Sequence, residues 1–307
     1  MPGLRHAILG AGGVGGTLGT CLANLGEPVT FVVRPESYAA YPEQVHLESP
    51  FGKFSASITR AKEVPPCDVL WLTVKATQLD AALPAIVKPE GVRAIVPLLN
   101  GIDHLVVLRA KYGKDRVIAA TIAGEMERLS LGHFAHRTPF LRLSVSSAGR
   151  TLLSGTLDGL HKIGLECPFV DDEATLMWSK AVFLAPIALA TTAFDQPVGG
   201  VMSNPDWKAE WEACVREVCA IATAEGAKVD STVVISGMSK APFGMRSSMQ
   251  KDVERGNPPE LDAIAGPIIR SADRLRIEIP ATRRLVSAVA ARVLPWPTNQ
   301  TNSHKSD

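Results

Sequence analysis

HAILGAGGVGGTLGT, residues 6–20, opens with a short apolar run, breaks into glycines at Gly10, Gly12, Gly13, Gly15 and Gly16, and continues as a helix-like stretch. Gly10, Gly12 and Gly15 keep the spacing G-x-G-x-x-G, the turn through which a strand presents a dinucleotide pyrophosphate to a helix N-terminus. In that reading the first glycine permits the tight turn, the second lets backbone approach the pyrophosphate, and the third permits close helix packing. Gly10, Ala11, Gly12, Gly13, Val14 and Gly15 are therefore candidate cofactor-binding residues. A plain strand-to-helix turn would produce the same string; the flanking strand and helix patterns favour the phosphate-binding reading.

Outward from this loop the same rhythm repeats. VTFVV (29–33), DVLWLTV (68–74) and RAIVPLLN (93–100) are apolar runs without alternation, as expected of strands covered on both faces. The helix-like stretches TLGTCLANLG (17–26) and TQLDAALPAIV (77–87) separate them. Strands joined by crossover helices predict an α/β fold with a Rossmann-type, doubly wound parallel sheet. An NAD-preferring site places Asp or Glu at the end of the second strand, whereas this chain places Arg34, which can fork onto a phosphate. NADPH is thus expected over NADH, the alternative being that Arg34 is an ordinary surface charge.

Composition narrows the function classes. Across 307 residues, 32 Lys plus Arg oppose 31 Asp plus Glu, so a formal charge of +1 makes nucleic acid an unlikely main partner. The cysteines at 21, 67, 167, 214 and 219 show no CxxC or zinc spacing, which suits a reduced, cytoplasmic protein. The longest apolar stretch, Ala181 to Ala193, is 13 residues and contains Pro186, short of the roughly 20 that cross a bilayer. No membrane partner is expected, and the three-residue run Ala7–Leu9 is too short for a secretory leader. His133 and His136 alone are too few for a metal site, and no G-x-S-x-G elbow is present.

The pattern changes after Asp171, Asp172 and Glu173, and the remainder is mostly helical. This predicts a dinucleotide-binding domain over 1–170, a smaller all-helical domain over 171–296, and a disordered polar tail over 297–307. Trp207, Trp211, Cys214, Val215, Val218 and Ala222 trace one amphipathic helix, with Ser203 or Asn204 as cap, Pro205 in its first turn and Gly226 at its end. Leu261, Ile264, Ile268, Ala272 and Leu275 trace another, with a kink or break expected at Gly266-Pro267. Residues 121–140 carry no chemistry that pattern alone can place.

GAGGVGG (10–16), TVKATQ (73–78), LNGI (99–102), MWSK (177–180) and SSMQKDVERGNPPELDAIAG (247–266), in this order, resemble the ketopantoate reductases (2-dehydropantoate 2-reductases) of pantothenate biosynthesis. The resemblance spans nearly the whole chain and implies a Rossmann domain plus a helical domain, with the active site in the cleft between them. It implies NADPH-dependent reduction of a 2-keto acid to a 2-hydroxy acid, and a homodimer by analogy. Lys180 matches the catalytic lysine and Glu260 its acidic partner, which also contacts cofactor. Lys75 matches a lysine near nicotinamide and ribose, and Asn100 an asparagine beside nicotinamide and substrate. Ser248 matches the serine that hydrogen-bonds the substrate carboxylate, with Ser247 beside it; Arg246 could assist there. Without the resemblance, Lys180 reads as a solvated lysine, Glu260 as a first-turn helix residue, Asn100-Gly101 as a turn and the serines as helix caps.

The match fails where the family carries asparagines four and eight residues after the lysine. This chain has Leu184 and Ala188, on the same helical face as Lys180 and so expected to border the substrate; Ala265 replaces a third asparagine. The expected substrate is accordingly a keto acid more apolar than ketopantoate. Two other readings remain at this point: a non-catalytic NADP(H)-responsive regulatory module, and reductive amination in the manner of opine dehydrogenases.

Overall fold

A computed structural model describes residues 3–238 and 241–293; the predicted tail at 297–307 lies outside the described residues. The chain runs β1 (His6–Leu9), α1 (Gly13–Asn24), β2 (Val29–Val32), α2 (Pro35–Tyr38), β3 (Gln44–Ser49), β4 (Gly52–Ser57), β5 (Thr59–Ala61) and β6 (Cys67–Leu72). It continues with α3 (Leu79–Ala82), β7 (Val92–Pro97), α4 (His104–Tyr112), β8 (Ala120–Ala123), β9 (Met126–Ser130), β10 (His133–His136), β11 (Arg142–Ser146), α5 (Arg150–Lys162) and β12 (Phe169–Val170). Among the described residues only helices follow: α6 (Glu173–Phe194), α7 (Val198–Ser203), α8 (Pro205–Ala224), α9 (Ser231–Met238), α10 (Ser248–Glu254), α11 (Leu261–Leu275) and α12 (Pro280–Val293).

Five strands form a parallel sheet in the order β5-β2-β1-β6-β7. The order reverses between β1 and β6, so their carboxyl ends border the crevice where open α/β sheets take ligands. Both faces are covered, which explains the unbroken apolar runs. Ile8, Phe31, Val69, Trp71 and Val96 face Leu18 and Leu22 of α1 and Leu153 and Leu157 of α5. Ala7, Leu9, Leu70, Leu72 and Ile95 face Leu105 and Leu108 of α4 and, from the helical half, Leu176 and Met177 of α6. The stretch at 77–87 is the exception: Pro84 breaks it into two 3-10 turns around the four-residue α3, so the expected crossover helix is reduced to a compact loop.

Residues 121–140 supply β9 and β10, which join β3 and β4 in a second sheet ordered β4-β3-β10-β9. This sheet lies over α1: a Cβ on Gly16 would strike the Phe134 ring, and one on Gly13 the Met126 carbonyl. A three-stranded sheet, β12-β11-β8, completes the first half.

In the second half α6 is the central helix. It is 22 residues long, longer than its apolar stretch, and apolar enough by composition to pass for a membrane span, yet most of it is buried against its neighbours. Its buried face joins Trp211, Cys214, Val215 and Val218 of α8, Ile264 and Ile268 of α11, and Leu285 and Val289 of α12 in one core. Asn204 caps α8, its Oδ1 accepting from the Asp206 and Trp207 amides, as the sequence pattern predicts.

The expected break at Gly266-Pro267 does not occur; α11 is continuous through it. Pro267 has no N–H for the carbonyl four residues earlier, so the Ala263 oxygen is released from the helical ladder. That oxygen lies against Gly101, where a Cβ would collide with it, and Gly101 has a φ of +82°. Two reasons thus require glycine: the left-handed backbone and the close approach of α11. Gly101→Ala should lower stability by about 1–3 kcal/mol, measured as a shift of the urea midpoint. An unchanged midpoint would show that the two halves do not meet here.

Candidate active site

The glycine loop is held from below. Gly10 takes a φ of +110°, and a Cβ there would meet the Val74 backbone. The Thr73 hydroxyl reaches the Gly10 carbonyl at 2.8 Å, and a Cβ on Gly15 would collide with both. Gly12, by contrast, has nothing within 4 Å of an added Cβ, and as N-cap of the 12-residue α1 it leaves that N-terminus without a side-chain cap. The first-turn amides of α1 thus have no side-chain acceptor, and the space beside Gly12 is open, a combination suited to a pyrophosphate. Ala11 and Val14 complete the turn, while Gly13 is packed against Met126. Arg34 ends β2 as N-cap of α2, its side chain 71% exposed and 3.8 Å from Glu36. It is free to meet a phosphate, although Glu36 competes for it.

The helical half closes over the carboxyl ends of β6 and β7 through specific polar contacts. Glu260, buried at the head of α11, accepts from the Ala76 amide at 2.8 Å and from Asn100 Nδ2 at 3.0 Å. Lys75 Nζ donates to both carboxylate oxygens of Asp252 on α10, each at 2.7 Å. Further out, Lys251 pairs with Glu125, Arg255 with Glu127 at 3.0 Å, and Arg270 with Asp103 at 2.5 Å. These outer pairs are solvated and worth about 0–1 kcal/mol each, so they orient more than they stabilise.

Lys180 sits on α6 with part of its surface still accessible, deep enough that burial lowers its ammonium to about 8, while the Glu260 carboxylate pulls it back upward. Glu260 does not grip Lys180 in an ion pair, as the family pattern had suggested. Its two oxygens are taken by Ala76 and Asn100, and it acts on Lys180 through its field. Nor does its side chain cap α11, although it holds the N-cap position.

Two further expectations need correction. Leu184 is half-buried one turn beyond Lys180 and packs in part against the helical core, whereas Ala188, 0% exposed, is sealed inside it. Ala265 is sealed there as well. The face on which Lys180 stands runs under α10 and α8 after one turn, so spacing alone overstates how far the cleft extends. Arg246 is paired with Glu254 at 2.6 Å, so Glu254 would compete with a substrate carboxylate for it. Ser247 caps α10, accepting from the Gln250 amide at 3.1 Å, and its hydroxyl lies 2.8 Å from that of Thr191. Ser248 begins α10 and is exposed.

Asp252 and His104 escaped the sequence reading. The partner of Asp252, Lys75, is 177 residues away. Among the described residues no group of three or more His, Cys, Asp and Glu side chains lies together as a metal site.

The chain matches the family described as "Ketopantoate reductase PanE/ApbA" over residues 6–147, and its C-terminal part, "Ketopantoate reductase PanE/ApbA C terminal", over 173–293. It belongs to the ketopantoate reductase family. It is 29% identical to the 2-dehydropantoate 2-reductase of Caulobacter vibrioides, over 94% of this chain and 99% of that one. It is 27% identical to the uncharacterized oxidoreductase YkpB of Bacillus subtilis, over 90% and 95%. Its fold is that of a PanE/ApbA family ketopantoate reductase from Ralstonia eutropha, with TM-score 0.82 and 24% identity over 94% and 98%. It is equally that of a D-mandelate dehydrogenase solved with NADH and anilino(oxo)acetate, with TM-score 0.82 and 20% identity over 94% and 98%. The chain is therefore an oxidoreductase of a NAD(P)-dependent family that reduces a 2-keto acid.

A base lowered from 10.5 to about 8 binds fewer protons in the folded than in the unfolded chain between those values. Its burial therefore opposes folding below pH 8, and the penalty fades as pH rises from about 8 to 10.5. Lys180→Met should raise Tm at pH 7, with the gain shrinking over that window. Thermal unfolding at pH 7, 9 and 10.5 tests this; a gain independent of pH would mean that the ammonium is not desolvated.

Proposed function

We propose that this family member reduces a 2-keto acid with NADPH, Lys180 acting as proton donor. One observation carries the reading: a lysine lowered to about 8 feels the Glu260 carboxylate, which is itself bound by Asn100 and the Ala76 amide at the strand ends that adjoin an uncapped glycine loop. The division near residue 171 would then separate a cofactor-binding unit from a helical unit that brings the lysine.

When bound, the reduced nicotinamide supplies a hydride to the carbonyl carbon of the substrate. The amides at the start of α1 and the turn Gly10–Gly15 would hold the pyrophosphate, and Arg34 would take the 2′-phosphate. Lys75, fixed by Asp252, and Asn100, fixed by Glu260, would hold the nicotinamide ribose and the substrate. The Lys180 ammonium polarises the carbonyl, delivers its proton to the nascent alkoxide and leaves as a neutral amine that recovers a proton from solvent. A donor near pH 8 suits this work, because it is charged at neutral pH yet releases its proton readily. Glu260 keeps it charged against desolvation. Ser248, exposed at the start of α10, would meet the substrate carboxylate.

Leu184 is the residue that turns this wall of the cleft apolar, and an apolar wall selects by size and shape. We therefore assign a substrate more apolar than ketopantoate, and the D-mandelate dehydrogenase of the same fold, solved with NADH and anilino(oxo)acetate, supports that class. A homodimer is the assembly we propose, supported by the ketopantoate reductase from Staphylococcus aureus described as dimeric, with TM-score 0.74 and 20% identity. Buried reduced thiols at Cys21, Cys67, Cys214 and Cys219 suit a cytoplasmic location.

NADPH oxidation against a panel of ketopantoate, branched-chain and aromatic keto acids tests the reading. The apolar acids should give the higher kcat/KM, and Lys180→Ala should lower kcat by about 100-fold or more with NADPH binding nearly intact. Turnover that survives Lys180→Ala, or turnover only with ammonia present, would overturn it. Arg34→Ala should raise KM for NADPH well beyond that for NADH; equal weakening would remove the phosphate role.

A further inference from the structure

α4 begins four residues after Asn100, and its first residue, His104, is 6% exposed with neither ring nitrogen hydrogen-bonded. A buried imidazole without a partner is disfavoured, and such groups are uncommon enough to call for a reason. The packing of α4 on α6 supplies one. Glu173, Met177 and Lys180 recur at intervals of four and three along α6 and so share one stripe. At the lower end of that stripe Glu173 holds Arg109 of α4 through two hydrogen bonds, 2.6 and 2.7 Å. In the middle, Met177 packs in the same cluster as Leu105 and Leu108. Running back along α4 from Arg109, the stripe reaches His104 as α6 reaches Lys180, and the two groups feel each other's charge.

We propose that His104 is a positioning residue for Lys180, its neutral imidazole supplying a lone pair that accepts an ammonium N–H, directly or through one water. The inference rests on the reading of Lys180 as proton donor. Burial, reinforced by the Lys180 charge, holds His104 down to about 4, so it is a neutral acceptor throughout the working range. The other charges on the surrounding elements are already matched: Glu173 by Arg109, Asp103 by Arg270, and Lys75 by Asp252. Glu260 then acts on the ammonium by charge and His104 by a lone pair.

Competitive labelling of the ε-amine across pH, with the Lys180 peptide followed by mass spectrometry, reads this without requiring turnover. The native chain should titrate near 8. His104→Leu should move the midpoint down by about half a unit, roughly a threefold shift in the protonation ratio. His104→Asn, which keeps an acceptor, should restore it. His104→Leu should fold, since removing an unpartnered buried polar group is close to neutral, and His104→Phe serves as a second apolar variant. A midpoint unchanged in both apolar variants, or lowered equally in His104→Asn, overturns the proposal. A shifted midpoint in a chain that reduces no keto acid would leave this inference standing and sink the proposed function instead.

Discussion

The carboxylate of Glu260 is the constraint on which the cleft depends. It belongs to the helical half, yet its oxygens are bound by the Ala76 amide after β6 and the Asn100 amide after β7, both in the parallel sheet's half. A buried carboxylate must be hydrogen-bonded to be tolerated, so the two halves can close only in the register that brings these donors to it. Because the donors are neutral, its negative charge is not cancelled, and Lys180 feels it across the cleft. One side chain thus sets the geometry of closure and opposes the loss of charge on a desolvated ammonium.

The backbone around this contact is shaped to the same end. Pro267 frees the Ala263 carbonyl, and Gly101 lacks the side chain that would keep α11 away from it. On the other side of the crevice Thr73 and Gly15 allow the Gly10 turn to sit directly on the sheet, and Gly12 leaves the start of α1 open. Glycines that look equivalent in the string GAGGVGG therefore do different work: Gly10 turns, Gly12 opens, Gly15 packs on the sheet, and Gly13 and Gly16 make room for β9 and β10. The ion pairs of Lys251 and Arg255 with that second sheet extend the closure to the rim, where solvent keeps them weak.

The parallel sheet, the glycine turn and the helix at Pro205–Ala224 were legible because each is written in local periodicity or in caps and turns within a few residues. The family strings singled out Glu260, Asn100, Lys75 and Lys180, and the structure joins Glu260 to Asn100, pairs Lys75 with Asp252 and sets Lys180 within the field of Glu260. What could not be read was pairing at long range. β9 and β10 are short and largely polar, so their residues make sense only once α1 is seen beneath them. Pro267 suggested a broken helix because its compensation lies at Gly101, far away in the chain. Ala188 followed the helical spacing of Leu184 but not its exposure, since burial is decided by α8 and α10. Asp252 and His104 bear ordinary residue types whose meaning comes from Lys75 and Lys180 alone.

The central claim is that a desolvated Lys180 ammonium, governed by Glu260, meets the reacting oxygen. The most direct measurement is a crystal structure of the chain with NADPH and a non-reducible keto acid analogue such as oxamate. The account predicts Lys180 Nζ within hydrogen-bonding distance of the analogue's amide carbonyl oxygen, with Glu260 still bound by Ala76 and Asn100. An Nζ turned out to solvent, away from the analogue and the nicotinamide, would contradict it.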